Sequence, residues 1–292
     1  MTTINLTDPD APIMKGKKGN FDTNYNTQLV CNDNQIISFC DVVVSGNDKA
    51  QLTPSIEGAI SNTEKNIAIV LADADYGSYA SLEFLEEKNI LGYVPYKNMN
   101  AKYDEDKYHS SHFVFDKSKN VYTCPAGQIL EQYRSRIDVN RNHHFDQYRT
   151  NACKECPFQK QCVKPGRARR VIEREKRQYL KDEMKIRLNS KEGKLMYQKR
   201  LHPIEAIFGH LKYNLGYNQF LLRGLKKVKA EFTIMCLTYN LRKLVTYLSS
   251  FFVNLQYGLT LSRPPKRRKI YYTQFVKELL LNTLVKSTCL YI

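Results

Sequence analysis

The chain has 292 residues, 42% of them hydrophobic, enough to bury a real core and to exclude a disordered polymer. Its 45 Lys and Arg against 29 Asp and Glu give a net charge of +16, which favours a polyanionic partner, nucleic acid first and an anionic membrane surface second. Met1 to Asp10 is polar, unlike a secretion signal, and no run of about 18 apolar residues suits a membrane span, so a cytoplasmic protein is expected.

Tyr25 to Val30 and Gln35 to Val44 are rich in β-formers and flank the turn-like Cys31-Asn-Asp-Asn34, which predicts a hairpin. A helix is expected over Leu52 to Ser61, a strand over Ile67 to Ala72, a second helix over Tyr79 to Lys88 and another strand over Ile90 to Tyr96. That order predicts a mixed α/β sheet with crossovers in residues 1–97. The apolar run Ile67 to Ala72 reads as a strand covered on both faces, yet it ends in Asp73 and Asp75. Each acid is either a cap for the following helix or a metal ligand, because open α/β sheets carry their chemistry at the carboxyl ends of strands.

Residues 98–166 break this rhythm with short polar and aromatic pieces and read as an insertion. They carry Cys124-x28-Cys153-x2-Cys156-x5-Cys162. Four thiolates with one close pair satisfy tetrahedral Zn²⁺, and a cytoplasmic setting argues against disulfides. Reduced structural cysteines are the competing reading, as is replacement of one ligand by His143 or His144. A closed four-Cys site would brace an insertion too polar to pack a core of its own. Cys31, Cys40, Cys236 and Cys289 sit among apolar residues and read as core thiols.

Residues 167–252 turn helical. Arg167 to Arg200 holds 13 Lys or Arg against five Asp or Glu. It is either a DNA-phosphate face or a solvated helix with i to i+4 pairs such as Glu173 with Arg177. Pro203 suits the first position of a helix that carries Glu205, Phe208 and Lys212 on one face, and Val228 to Phe252 is a largely apolar helix. Residues 253–292 comprise the basic linker Arg263-Pro-Pro-Lys-Arg-Arg-Lys269, read as a solvated tether, and a C-terminal helix.

Asp73-Ala-Asp-Tyr76, together with Tyr197, Arg200, Glu205 and Lys212, resembles the insertion-sequence DDE transposases. The same family is echoed by Thr7-Asp-Pro-Asp-Ala11, Tyr25-Asn-Thr-Gln28, Tyr122-Thr-Cys-Pro-Ala-Gly127, Cys153-Lys-Glu-Cys-Pro157, Asn189-Ser-Lys-Glu-Gly193 and Arg223-Gly224. The similarity spans about residues 7 to 245 and points to the branch with a cysteine-bearing insertion before the last catalytic acid. It implies a ribonuclease H-like mixed sheet with helices, interrupted by a small zinc-ribbon-like insertion, and metal-dependent DNA cleavage and strand transfer by three carboxylates holding Mg²⁺ or Mn²⁺. By position, Asp73 resembles the second acid and Glu205 the third, while Tyr197, Arg200 and Lys212 resemble the signature that positions transposon-end phosphates.

Two departures stand out: Asp75 replaces the family's usual glycine, and the gap from Arg200 to Glu205 is one residue longer. The first acid belongs on a central strand between the hairpin and the Asp73 strand. In sequence that strand should precede Thr7-Asp-Pro-Asp, so the chain is expected to resemble the carboxyl-terminal two-thirds of a transposase without it, leaving unpaired sheet edges, with Asp8 as the candidate substitute acid. The implied partners are DNA, both transposon ends and target, and a second copy or a full-length transposase, in a nucleoid-associated cytoplasmic setting without membrane. A catalytically inactive DNA-binding remnant is the alternative.

Overall fold

Turn chemistry sets the first hairpin. In the computed structural model, which describes residues 5–15, 19–99, 101, 105–259 and 289–292, β1 (Ile13–Lys15) and β2 (Phe21–Thr23) pair antiparallel and precede β3 (Asn26–Asn32) and β4 (Ile37–Val43). Asn32 closes the β3–β4 turn by accepting from the N–H groups of Asn34 and Ile36, each at 3.0 Å, a task suited to a short polar side chain. α1 (Leu52–Thr63) buries Leu52, Ser55, Ile56 and Ala59, the helical stripe that packs on the hairpin. β5 (Ile69–Leu71), α2 (Tyr79–Glu87) and β6 (Leu91–Tyr93) follow as a parallel crossover. Ser78 caps α2 by accepting from the Ser81 N–H at 3.2 Å.

The chain divides into two compact units, Met1–Lys97 with Met184–Ile292, and Asn98–Glu183. In the second unit, β7 (Val114–Asp116), β8 (Val121–Thr123), β9 (Ile129–Asp138), β10 (His143–Arg149) and β11 (Ile172–Glu175) form an antiparallel sheet in the order β11-β10-β9-β8-β7. A short α3 (Gln159–Cys162) lies between the last two strands in sequence.

Contrary to expectation, this unit has a core of its own. Phe113, Tyr122, Leu130, Tyr148 and Ile172 are buried together, and the Tyr122 and Tyr148 rings meet edge to face at 5.1 Å. The unit runs past Gly166 to Glu183 because β11 pairs with β10. That strand also removes the expected helical pair: Glu173 lies 3.4 Å from Arg136, and Arg177 Nε lies 2.9 Å from Glu175.

The chain re-enters the first unit within α4 (Gln178–Asn189), followed by α5 (Lys191–Gln198), α6 (Pro203–Gly209) and α7 (Leu225–Leu259). The motif Asn189-Ser-Lys-Glu-Gly193 is the α4–α5 corner. Ser190 Oγ accepts from the Gly193 N–H at 2.9 Å, and a Cβ on Gly193 would collide with the Arg187 carbonyl. α7 packs on β4 through Val228, Phe232, Cys236 and Tyr239, and Asn240 bonds both the N–H and the carbonyl of Ile37 at 2.9 Å. Among the described residues no helix is long and apolar enough to cross a membrane.

β12 (Cys289–Tyr291) pairs antiparallel with β3 and parallel with β5, giving the sheet order β4-β3-β12-β5-β6. The position expected to be vacant is therefore filled, and the facing edges of β3 and β5 are paired. Residues 289–292 are strand and core where a C-terminal helix was expected; the rest of that helix and the Arg263–Lys269 linker lie outside the described residues.

Candidate active site

Asp73 stands just beyond β5 and performs two tasks with two oxygens. Its Oδ1 accepts from the Ala74 N–H at 2.6 Å, capping the short 3₁₀ turn Ala74–Tyr76, and its Oδ2 lies 3.2 Å from Arg200 Nη2. The turn passes so close to the segment after β6 that a Cβ on Gly77 would collide with the Pro95 carbonyl oxygen. Asp75 is exposed, whereas Tyr76 points inward and donates to Gln28 Oε1 at 2.5 Å.

Gln28, only 2% exposed, in turn donates to Asp48 Oδ1 at 2.8 Å and to Asn26 Oδ1 at 3.0 Å. Burial first, then Asp48 and Asp73, hold the Tyr76 phenol far above its ordinary value, so it remains a donor. A buried polar chain thus supports the turn that carries Asp73, a role that the motif Tyr25-Asn-Thr-Gln28 did not reveal by itself.

Arg200 lies in the 3₁₀ turn Lys199–Leu201 and reaches Glu205 as well, Nη1 to Oε1 at 3.6 Å. That turn is followed by Pro203 at the start of α6. Glu205 occupies the first turn of α6, where the helix dipole favours a carboxylate. Tyr197 belongs to the same cluster: burial pushes its phenol up, Arg200 opposes, and Asp73 and Glu205 add to the rise. Asp73, Tyr197, Arg200 and Glu205 are therefore one site.

Residues 123–245 match the family described as the transposase DDE domain. This match supports a DDE transposase domain over that stretch. The matched span contains Tyr197, Arg200, Glu205, Lys212 and the four clustered cysteines; Asp73 lies outside it and is joined to it through Arg200. No curated protein and no solved structure matches the chain.

Lys212 sits in a π-helical segment, His210–Asn214, so the α-helical spacing from Glu205 that predicted a shared face does not hold. Its Nζ stands 5.9 Å from the Phe208 ring centre. Both line a groove of about 440 Å³ that also takes in Asp8, Tyr25, Phe220 and Arg223.

Asp8 does not share Arg200 with the other two acids. It is 7% exposed, accepts from the Tyr25 hydroxyl at 2.9 Å and from the Gly224 N–H at 3.1 Å, and Asp10 accepts from the Leu225 N–H at 2.9 Å. The two carboxylates cap the start of α7, so the segments Thr7–Ala11, Tyr25–Gln28 and Arg223–Gly224 meet for a structural reason. Burial, then Asp8, push the Tyr25 phenol up to about 12. Replacing Asp8 with Ala leaves a half-buried hydroxyl and a half-buried amide unpaired and is expected to cost about 1 kcal/mol in urea unfolding, and Tyr25→Phe less.

In the second unit Cys124, Cys153, Cys156 and Cys162 line one cavity of about 20 Å³, room for about one water-sized sphere. The Gln128 N–H donates to Cys124 Sγ at 3.3 Å. Burial pushes the Cys162 thiol up, Arg170 opposes this, and the other three cysteines raise it further. His143 and His144 lie on β10 and do not line the cavity. Among the described residues no three or more His, Cys, Asp or Glu side chains stand in an arrangement that could hold a metal ion.

Proposed function

We propose that this chain acts as a transposase, cleaving and joining DNA through divalent-metal chemistry at Asp73 and Glu205. Arg200 carries the reading: one guanidinium at 3.2 Å from Asp73 and 3.6 Å from Glu205 brings together two acids remote in sequence. The carboxylates already hold a cation between them, and hard oxygen donors suit Mg²⁺ or Mn²⁺. Such an ion, when bound, activates a water or a DNA 3′-hydroxyl and stabilises the leaving oxygen.

The chain's own residues bind and orient. Asp73 is fixed by its turn and by the buried Tyr76–Gln28 bond, and Glu205 by the first turn of α6. Lys212 and Arg223 in the groove and the exposed Lys185, Lys191, Lys194 and Lys199 are proposed to meet phosphates. They place DNA without reading its sequence. If all six cations contact duplex phosphates, log affinity against log salt should fall with a slope of about −5, and changing two of the lysines to Gln should flatten it to about −4. An antiparallel hairpin at one edge of the sheet, followed by parallel strands, supports a ribonuclease H-like core.

The four cysteines are proposed to hold a structural Zn²⁺, since their thiols face one cavity of ionic size. Purified protein is expected to contain about one zinc per chain by elemental analysis. Cys153→Ser should lose it and hasten proteolysis within residues 98–183. Full-strength protection in a zinc-free protein would sink this assignment.

A second reading, a DNA-binding protein without cleavage, is favoured by Asp8, whose carboxylate serves α7 rather than the Arg200 pair. Mn²⁺-dependent nicking of supercoiled plasmid decides. Nicking that depends on Asp73 supports the transposase chemistry; salt-sensitive binding with no nicking selects the second reading.

A further inference from the structure

We propose that Arg200 is an internal counter-cation that must leave Asp73 and Glu205 before a divalent ion can bind, and that a DNA phosphate draws it off. DNA and metal would then bind cooperatively through this one side chain. The inference rests on Asp73 and Glu205 being the metal ligands.

Three observations meet here. The guanidinium lies between the two carboxylates, 3.2 and 3.6 Å from their oxygens, so it occupies the field in which a divalent ion would sit. A fixed positive charge beside that position repels a second cation. The carboxylates are 54% and 53% exposed and so open to solvent ions, whereas the arginine side chain is only 10% exposed. Finally, Arg200 Nε is buried with no hydrogen-bond partner. A buried charged donor left unmet is uncommon and marks an arrangement that a better acceptor would displace. Phosphate is such an acceptor, because guanidinium meets it bidentately and with full charge.

Linkage makes the idea measurable. If phosphate removes Arg200 from the acids, DNA must raise the affinity for metal, and metal must raise the affinity for DNA by the same factor. The probes are Mn²⁺, followed by its electron paramagnetic resonance signal, and a 20-base-pair duplex followed by fluorescence anisotropy. In the wild-type protein each is expected to tighten the other by at least about fivefold, a modest value for coupled sites.

Arg200→Gln is expected to bind Mn²⁺ about tenfold more tightly without DNA, because a repelling charge is gone, and to show less than about twofold coupling. Arg200→Lys keeps the charge beside the acids and should keep Mn²⁺ binding weak while coupling falls, since an ammonium lacks the planar fork. Should Arg200→Gln not fold, the wild-type coupling and the Lys variant still decide.

No coupling in the wild-type protein, or Mn²⁺ affinity in Arg200→Gln at or below that of the wild type, overturns the proposal. Failure of the underlying reading looks different: Asp73→Asn and Glu205→Gln would then leave Mn²⁺ affinity unchanged, because the ion binds elsewhere.

Discussion

Replacing Asp73 with Asn is expected to lower Mn²⁺-dependent plasmid nicking by about 10³-fold, equivalent to roughly 4 kcal/mol of transition-state stabilisation, while duplex affinity measured without metal stays within about twofold. The asymmetry follows from the two oxygens of Asp73. Asn caps a turn as well as Asp does, so the bond to the Ala74 N–H survives and the turn holds its shape. What disappears is the charge that faces Arg200 and would face the metal. Glu205→Gln should fall as far, and the double variant little further, because residues that act as a unit are not additive. Asp75→Asn, at an exposed position that meets no cation, should lose less than about threefold. If Asp73→Asn nicks as well as the wild type, the cleavage belongs to another site or to a contaminant.

Of the two readings available for Asp73 from sequence, the cap is met at the Ala74–Tyr76 turn and not at the Tyr79 helix, which Ser78 caps, and the second oxygen faces Arg200. Strand Ile69–Leu71 was legible because a run of apolar residues can only be covered on both faces, and the acids after it mark where the cover ends. Which oxygen does what depends on Arg200, and that contact joins elements whose separation no local pattern encodes. The Tyr76–Gln28–Asp48 chain was hidden for the same reason: a Gln on a strand is usually solvated, and its burial follows only from residues remote in sequence that close over it.

The second unit failed in the opposite way. Its composition is polar, but Tyr122, Leu130, Tyr148 and Ile172 fall on one face of an antiparallel sheet, so few apolar residues suffice for a core. A periodic pattern of two spread over strands as short as three residues is too brief to stand out. The π-helical segment that carries Lys212 is likewise invisible to a reading that assumes 3.6 residues per turn.

β12 is the least legible element and carries the largest expected effect on stability. Leu290→Asp should unfold the first unit or cost it at least about 3–5 kcal/mol, because an unpaired charge would enter a fully packed sheet. Cys289, Leu290, Tyr291 and Ile292 are each no more than 8% exposed, so this segment is core and not a surface tail. It is held on both sides, by pairing with Asn32 and Cys31 and with Ile69 to Leu71, and by the Tyr291 hydroxyl donating to Asp33 Oδ1 at 2.6 Å. Leu290→Ala should cost about 2–5 kcal/mol by the cavity alone.

Removing residues 289–292 would expose the facing edges of β3 and β5, two rows of unpaired amides and carbonyls that invite strand addition from another chain. Such a protein is expected to aggregate on light scattering, while the second unit, with its separate core, keeps its own thermal transition. An unchanged melting curve for Leu290→Asp would show that the centre of the sheet is filled by something other than β12. The position of Asp73 would then need a different support, since the strand that carries it is parallel to β12 and shares its backbone bonds.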